Sequence, residues 1–225
     1  MKSFVLKMII PVIVMSLCSF YLQSFERKRN VAGQESVSIH TWLIKTLNLR
    51  ELAAGYLWMQ FDNDSINQLA NYHRLLITLD ALTSIKEDDF DAWSLKNYMR
   101  LDRGIRKNDR EMINRAIRDY KRAIELNPQD RRFLHDAAQS FYMKLHDLKL
   151  ARKYAEMCYA LPEHEVKTDR LLAKIYTDLK LTDKALKIYN EILQNPAADE
   201  SDKALAREKI AKLYNNQAVN DKNLY

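Results

Sequence analysis

The chain has 225 residues, 47% of them apolar, with three glycines, four prolines and two cysteines. So few glycines and prolines leave little of the turn chemistry that sheet hairpins need, and two cysteines exclude a disulfide-rich scaffold. The formal charge of +6 is concentrated at the start: residues 1–30 hold five Lys or Arg and one acid, so the rest carries 31 cations against 29 acids, or +2. A near-neutral body does not trap phosphates, and no nucleic-acid partner is expected.

Residues 1–29 read as a membrane anchor, or an uncleaved signal, with a basic flank. After Lys2 and Lys7 comes an uncharged, mainly apolar run over 8–22, followed by Glu26, Arg27, Lys28 and Arg29. Counting from residue 3 and letting Lys7 reach the headgroups, residues 3–22 are long enough to span a bilayer as one helix. A cleaved signal peptide is the competing reading, but the best small-x-small site, Ser16 to Cys18, lies inside the apolar run, and bulky Leu17 precedes Cys18 where lipoprotein processing favours a small residue. Basic residues nearly balance across the segment, so the very short leading tail decides orientation: it stays cytoplasmic and the remainder is exported. The expected location is a bacterial inner membrane, single-pass, with the body on the periplasmic side.

Residues 30–91 form a degenerate helical unit beside the membrane. Residues 41–47 and 49–61 are apolar helical stretches carrying Trp42 and Trp58, and residues 65–85 predict a long amphipathic helix with Leu69, Leu75, Leu76, Leu79 and Leu82. The tryptophans read as core, with Trp42 near enough to the anchor for a headgroup role.

Residues 92–214 carry a repeat. Pro128, Pro162 and Pro196 stand 34 residues apart, each closing a helical run. Ahead of them lie Ala116, Tyr120 and Ala123; then Ala151, Ala155 and Cys158; then Ala185, Tyr189 and Ile192. Between these runs sit helices marked by Leu134, Ala138 and Phe141, by Leu172, Ala173 and Tyr176, and by Ile210, Ala211 and Tyr214; residues 208–214 (EKIAKLY) nearly copy 170–176 (RLLAKIY) and read as a capping helix. Small residues permit close helix crossings, and an aromatic three or four positions on fills the adjoining gap. Asp109, Asp147, Thr182 with Asp183, and Ser201 mark helix starts. Residues 215–225 are polar, without apolar period, and read as a flexible tail.

This pattern resembles the tetratricopeptide repeat family, over roughly residues 92–214. The family's first-helix glycine is replaced by Ala138 and Ala173, its tryptophan position is not kept in the later units, and the second and third Ala-to-Pro distances are one residue short. Residues 52–58 (LAAGYLW) are also similar to a segment of uncharacterised membrane-anchored bacterial proteins of that family. The resemblance implies an all-α, right-handed helix–turn–helix solenoid, preceded here by the transmembrane helix, that binds proteins on a concave side lined by the first helices of each pair. Projecting those positions gives His135, Gln139 and Tyr142 from one unit and Lys167, Arg170 and Lys174 from the next. Three cations on one helix face, with Tyr142 as an apolar shelf, suit an acidic segment or a C-terminal carboxylate.

Nothing in the sequence assembles a catalyst. His40, His73, His135, His146 and His164 are scattered without metal-gripping pairs, and 163–165 (EHE) crowds its side chains into one turn where adjacent residues do not converge on an ion. Gly33, Gly55 and Gly104 are isolated, so no phosphate-cradling loop forms. Cys158 falls at a small-residue core position and Cys18 in the anchor, so they do not pair. No metal, cofactor or catalytic residue is expected. Charge is segregated: residues 96–132 hold twelve Lys or Arg against six acids, whereas 61–91 hold two against seven. Adjacent segments of opposite sign either attract one another or lie as solvated faces. The function that follows is a membrane-anchored scaffold that holds or helps assemble a membrane-associated complex, with a permanent structural subunit of a large membrane complex as the alternative.

Overall fold

The computed structural model describes Ser16 and residues 49–66, 72–162 and 165–222. Nine helices and no strand occur among them: α1 Arg50–Ile66, α2 Tyr72–Ile85, α3 Phe90–Arg106, α4 Arg110–Leu126, α5 Arg131–Met143, α6 Leu148–Tyr159, α7 Val166–Asp178, α8 Thr182–Gln194 and α9 Glu200–Lys222. The apolar run over 8–22, apart from Ser16, lies outside the described residues, as do Cys18, His40, Trp42 and His164; among the described residues no helix is long and apolar enough to cross a membrane. The chain forms two compact units, residues 1–127 and 128–225.

In the first unit α1 pairs with α2, α2 with α3, and α3 with α4. Ala53, Ala54 and Leu57 of α1 face Leu76, Leu79 and Leu82 of α2, with Ala92 of α3 in the same core. Removing each such leucine from water contributes on the order of 2 kcal/mol. Trp58 packs as core and donates its ring N–H to Asp89 Oδ2 at 3.0 Å, while Trp93 donates to the Glu87 carbonyl at 3.0 Å. Of the helix expected over residues 65–85, Ser65 belongs to α1, its hydroxyl bonded to the Asp62 carbonyl at 2.8 Å, and Tyr72–Ile85 form α2, while Leu69 lies outside the described residues.

In the second unit α5 pairs with α6, α6 with α7, α7 with α8, and α8 with α9. The periodic residues are the ones buried. Ala116, Tyr120 and Ala123 in the first unit, and Ala151, Ala155, Cys158, Ala185, Tyr189 and Ile192 in the second, are all at most 3% exposed. Leu134, Ala138, Phe141, Leu172, Ala173 and Tyr176 are buried on the intervening helices. The last of the sequence copies departs: Ala211 is exposed and Tyr214 is 56% exposed, while Ala206 and Leu213 are buried. The copy sits about one turn beyond the 34-residue register, so its face rolls partly away from α8. The helix also runs on to Lys222, through residues expected as a tail.

Helix starts follow carboxylate chemistry. Asp89, Asp109, Asp130 and Asp147 each accept a backbone N–H from the first turn, which satisfies an orphan donor and places negative charge at the positive helix end. For α9 the cap is Asp199, bonded to the Asp202 N–H at 2.7 Å, rather than Ser201. Thr182 lies inside α8, and Leu181 precedes it without a side-chain cap. Each tight turn within a pair holds one left-handed residue: Asn108, His146 and Lys180 have φ of 52°, 53° and 58°. The residue after each donates back to Gly104, Phe141 and Tyr176 carbonyls at 2.8, 3.0 and 2.9 Å, closing the preceding helix.

Gly104 sets the closest approach in the first unit, because a Cβ there would lie 2.9 Å from Ile113 Cγ1 and 3.1 Å from the Ile113 backbone nitrogen. Gly104→Ala is expected to cost about 1–2 kcal/mol by forcing α3 and α4 apart, after allowing for the better helix propensity of alanine. Gly55 has nothing within 4 Å of the same added atom, so Gly55→Ala is expected to add about 0.5–1 kcal/mol. Urea unfolding midpoints of the two variants should move in opposite directions.

Candidate functional site

The first helices of the second unit, α5 and α7, touch one another directly along a seam; of the six residues expected on the binding face, His135, Tyr142 and Lys174 make contacts between these two helices. His135 is half-buried, its Nδ1 3.1 Å from the hydroxyl of Thr168, itself 2% exposed. Burial, with Lys167 nearby, holds the imidazole below its ordinary range, so His135 is neutral at pH 7. Tyr142 is buried and donates its hydroxyl to Asp178 Oδ2 at 2.5 Å. Burial, together with that carboxylate, pushes the phenol well above its usual value, which fixes it as a donor. Gln139 is exposed on the same helix.

The cationic trio is less free than its spacing suggests. Lys167 Nζ is 2.7 Å from Glu165 Oε2, and that hydrogen bond holds the Glu165 carboxyl below its ordinary range. Arg170 pairs with Asp202 of α9 at 2.5 Å. Lys174 is exposed, with its Nζ 5.2 Å from the centre of the Tyr142 ring, a cation–π arrangement at the surface. The structure therefore brings Lys174 onto the Tyr142 ring and leaves Gln139 exposed on α5, whereas the Tyr142 hydroxyl, His135, Lys167 and Arg170 already have partners within the chain.

Beneath the seam, Cys158 Sγ lies 3.6 Å from Thr168 Oγ1 and 3.4 Å from the Arg131 carbonyl. Burial pushes its thiol up, so it is a packed small group and not a thiolate nucleophile. Two further tyrosines tie helices together: Tyr176 donates to Glu156 at 2.8 Å and Tyr159 to Glu191 at 2.5 Å. Among the described residues no group of three or more His, Cys, Asp or Glu is placed to hold a metal ion.

A second polar feature was not expected. In the first unit Arg100 is clamped between Asp80 of α2, at 2.5 and 2.6 Å, and Asp119 of α4. Lys96, one turn earlier and only 3% exposed, donates to Thr83 Oγ1 at 2.9 Å, lies 3.7 Å over the Trp93 ring and stands 3.7 and 3.8 Å from the same two carboxylates. Burial lowers the Lys96 ammonium, against the pull of Asp119 and Asp80. For Arg100 the two carboxylates outweigh burial and raise it. The signal that could have found it is the spacing of Lys96 and Arg100, i and i+4 on the face of α3 that also holds Ala92, Trp93 and Leu101. Asp80 and Lys96 come from the oppositely charged segments 61–91 and 96–132, so part of that charge is attraction in a buried setting.

No family model matches the sequence, and no curated protein matches it. Among solved structures the chain is similar to the crystal structure of the MamA protein, with a TM-score of 0.54, 14% identity, and coverage of 76% of this chain and 86% of that one. At that identity the likeness concerns the fold, which is all-helical and tetratricopeptide-like.

Asp80→Ala is expected to destabilise the protein by about 3 kcal/mol, because Arg100 keeps a buried charge with half its cover removed. Adding Arg100→Met should recover part of that loss, as measured in a double-mutant cycle. For His135 the sign is set by its lowered value. The unfolded chain binds a proton near pH 6.5 that the folded chain takes up only at lower pH, so stability is full above that value and falls as pH drops through and below it. His135→Asn should flatten that part of the stability profile in denaturant titrations between about pH 7 and 5.

Proposed function

We propose that this chain is a scaffold that holds other proteins at a membrane, for assembly or stabilisation of a membrane-associated complex. The observation that carries the reading is the seam of α5 and α7, where Lys174 is exposed beside the Tyr142 ring, with Gln139 exposed on α5. In this reading the helix pairs stack as a right-handed solenoid and the seam belongs to its concave side. Residues 3–22 form the anchor, in a bacterial inner membrane with the repeats on the periplasmic side.

The partner is a protein segment with acidic side chains or a C-terminal carboxylate. Lys174 supplies the charge, Tyr142 an apolar shelf, and Gln139 a donor and an acceptor. Arg170 and Lys167 join by exchanging Asp202 and Glu165 for the ligand's carboxylates, which adds little net energy at an exposed site. Tetratricopeptide-like surfaces of this kind support binding and not catalysis, and the near-neutral body gives no reason to expect RNA.

Crosslinking of the full-length chain in intact cells, followed by identification of the attached proteins, tests the reading. Lys174→Glu is expected to lower partner capture about tenfold, the scale of a lost charge-assisted contact with added repulsion, while leaving the melting temperature unchanged. Equal capture by Lys174→Glu and the parent chain would remove the seam as the binding face. Co-purification through detergent at fixed stoichiometry, with no exchange of the partner, would instead mark a permanent subunit.

A further inference from the structure

The first and last described helices each keep one face uncovered, and the two faces complement one another. On α1, Leu52, Met59 and Ile66 recur every seven residues and are 55%, 58% and 77% exposed. Gly55 and Asp62 lie on the same exposed stripe, and Gly55 has open space around it. On α9, Arg207, Ala211 and Tyr214 share one exposed face at spacings of four and three. The near-copies of Ala211 and Tyr214 on α7, Ala173 and Tyr176, are buried at 0% and 7%. A sequence that elsewhere in the chain is covered by helices is left bare here.

Charge adds a second argument. Helix α1 carries one cation, Arg50, against Glu51, Asp62 and Asp64. Residues 207–214 carry Arg207, Lys209 and Lys212 against Glu208. Asp64 and Glu51 are engaged by Arg74 and Lys86 of the same unit, but Asp62 stands on the apolar stripe itself. The Arg207 side chain is 62% exposed and only 3.8 Å from its nearest carboxylate oxygen, on Glu200.

We propose that α1 of one copy docks on α9 of a second copy, so that the chain self-associates head to tail. Met59 and Leu52 cover Ala211 and Tyr214, Gly55 and Ala211 let the helix backbones approach, and Asp62 meets Arg207. The two surfaces differ, so the contact is heterologous and each added copy leaves one free face at either end. A bilayer is a poorer occupant of the α1 stripe, because Asp62, which stands on the stripe itself, would be pressed against apolar chains or anionic headgroups. The inference stands apart from the α5–α7 seam and does not rest on it.

The test uses the full chain in a mild non-ionic detergent and sedimentation velocity over a wide concentration range. The parent chain is expected to grow in mass with concentration. Met59→Glu and Tyr214→Glu should each halt that growth, raising the apparent dissociation constant about tenfold or more. Mixed in equal amounts, the two variants should form a one-to-one pair and nothing larger, because each retains the face the other has lost. Since both side chains are exposed, their helical signal and melting temperature should match the parent. A charge exchange gives a milder probe: Asp62→Arg and Arg207→Asp should each weaken association, and the double variant should restore it. Several outcomes overturn the proposal. They are a monomer at every concentration, growth untouched by Tyr214→Glu, a mixture that fails to pair, and a disulfide between Asp62→Cys and Arg207→Cys that closes within one chain.

Discussion

Every helix pair in this protein depends on small residues at its crossings. Ala116, Ala138, Ala151, Ala173 and Ala185 are each without measurable exposure, and Gly104 leaves no room for even a methyl group beside Ile113. Only where backbones approach this closely do the flanking rings of Tyr120, Phe141, Tyr154 and Tyr189 fill the remaining gap. Phe141 and Tyr154, for example, sit with ring centroids 5.5 Å apart, within the range in which aromatic pairs add to burial. Because each pair buries one face internally and the other only against its neighbour, the arrangement leaves an uncovered helix face wherever a row of pairs stops.

The two units use different polar chemistry to hold neighbouring helices in register. In the second, tyrosine hydroxyls on α5, α6 and α7 donate to carboxylates on α7, α8 and α6. Two of the accepting carboxylates also carry a cation on their own helix, Arg152 at 2.8 Å from Glu156 and Lys187 at 3.9 Å from Glu191. In the first, Arg100 and Lys96 on α3 bridge α2 and α4 through shared carboxylates. A buried network of this kind gains little net stability over apolar packing of the same volume, but its geometry is exacting. It penalises any slip of α3 against α2 or α4, since one turn of displacement strands two cations in the core. Register in the first unit is thus held by the cost of error more than by the gain of contact.

Much of this architecture is legible from residue spacing. The Ala, Tyr and Leu positions around the three periodic prolines are buried as their pitch requires, and Asp109 and Asp147 cap the helices they precede. Where spacing misled, the reason is physical. Copying 170–176 at 208–214 preserves residue types but not their place along the helix, and a shift of about one turn against α8 exposes Ala211 and Tyr214 while burying Ala206 and Leu213. Helical projection placed Lys167, Arg170 and Lys174 on one face, but it carries no information about Glu165 or Asp202, which arrive from the loop before α7 and from α9. Overall charge segregation hid the Asp80, Lys96, Arg100 and Asp119 cluster, because a count over thirty residues cannot tell a solvated cation from one beneath Trp93 and Thr83.

Pre-paired cations also shape what the α5–α7 seam can select. A ligand carboxylate that displaces Asp202 from Arg170 exchanges one exposed ion pair for another, so most of its attraction cancels. Of the three cations, Lys174 is held over the Tyr142 ring instead of by a carboxylate. A single strong anion anchor is therefore absent from these three cations. Under the proposed reading, a partner held here would have to satisfy several such modest contacts at once.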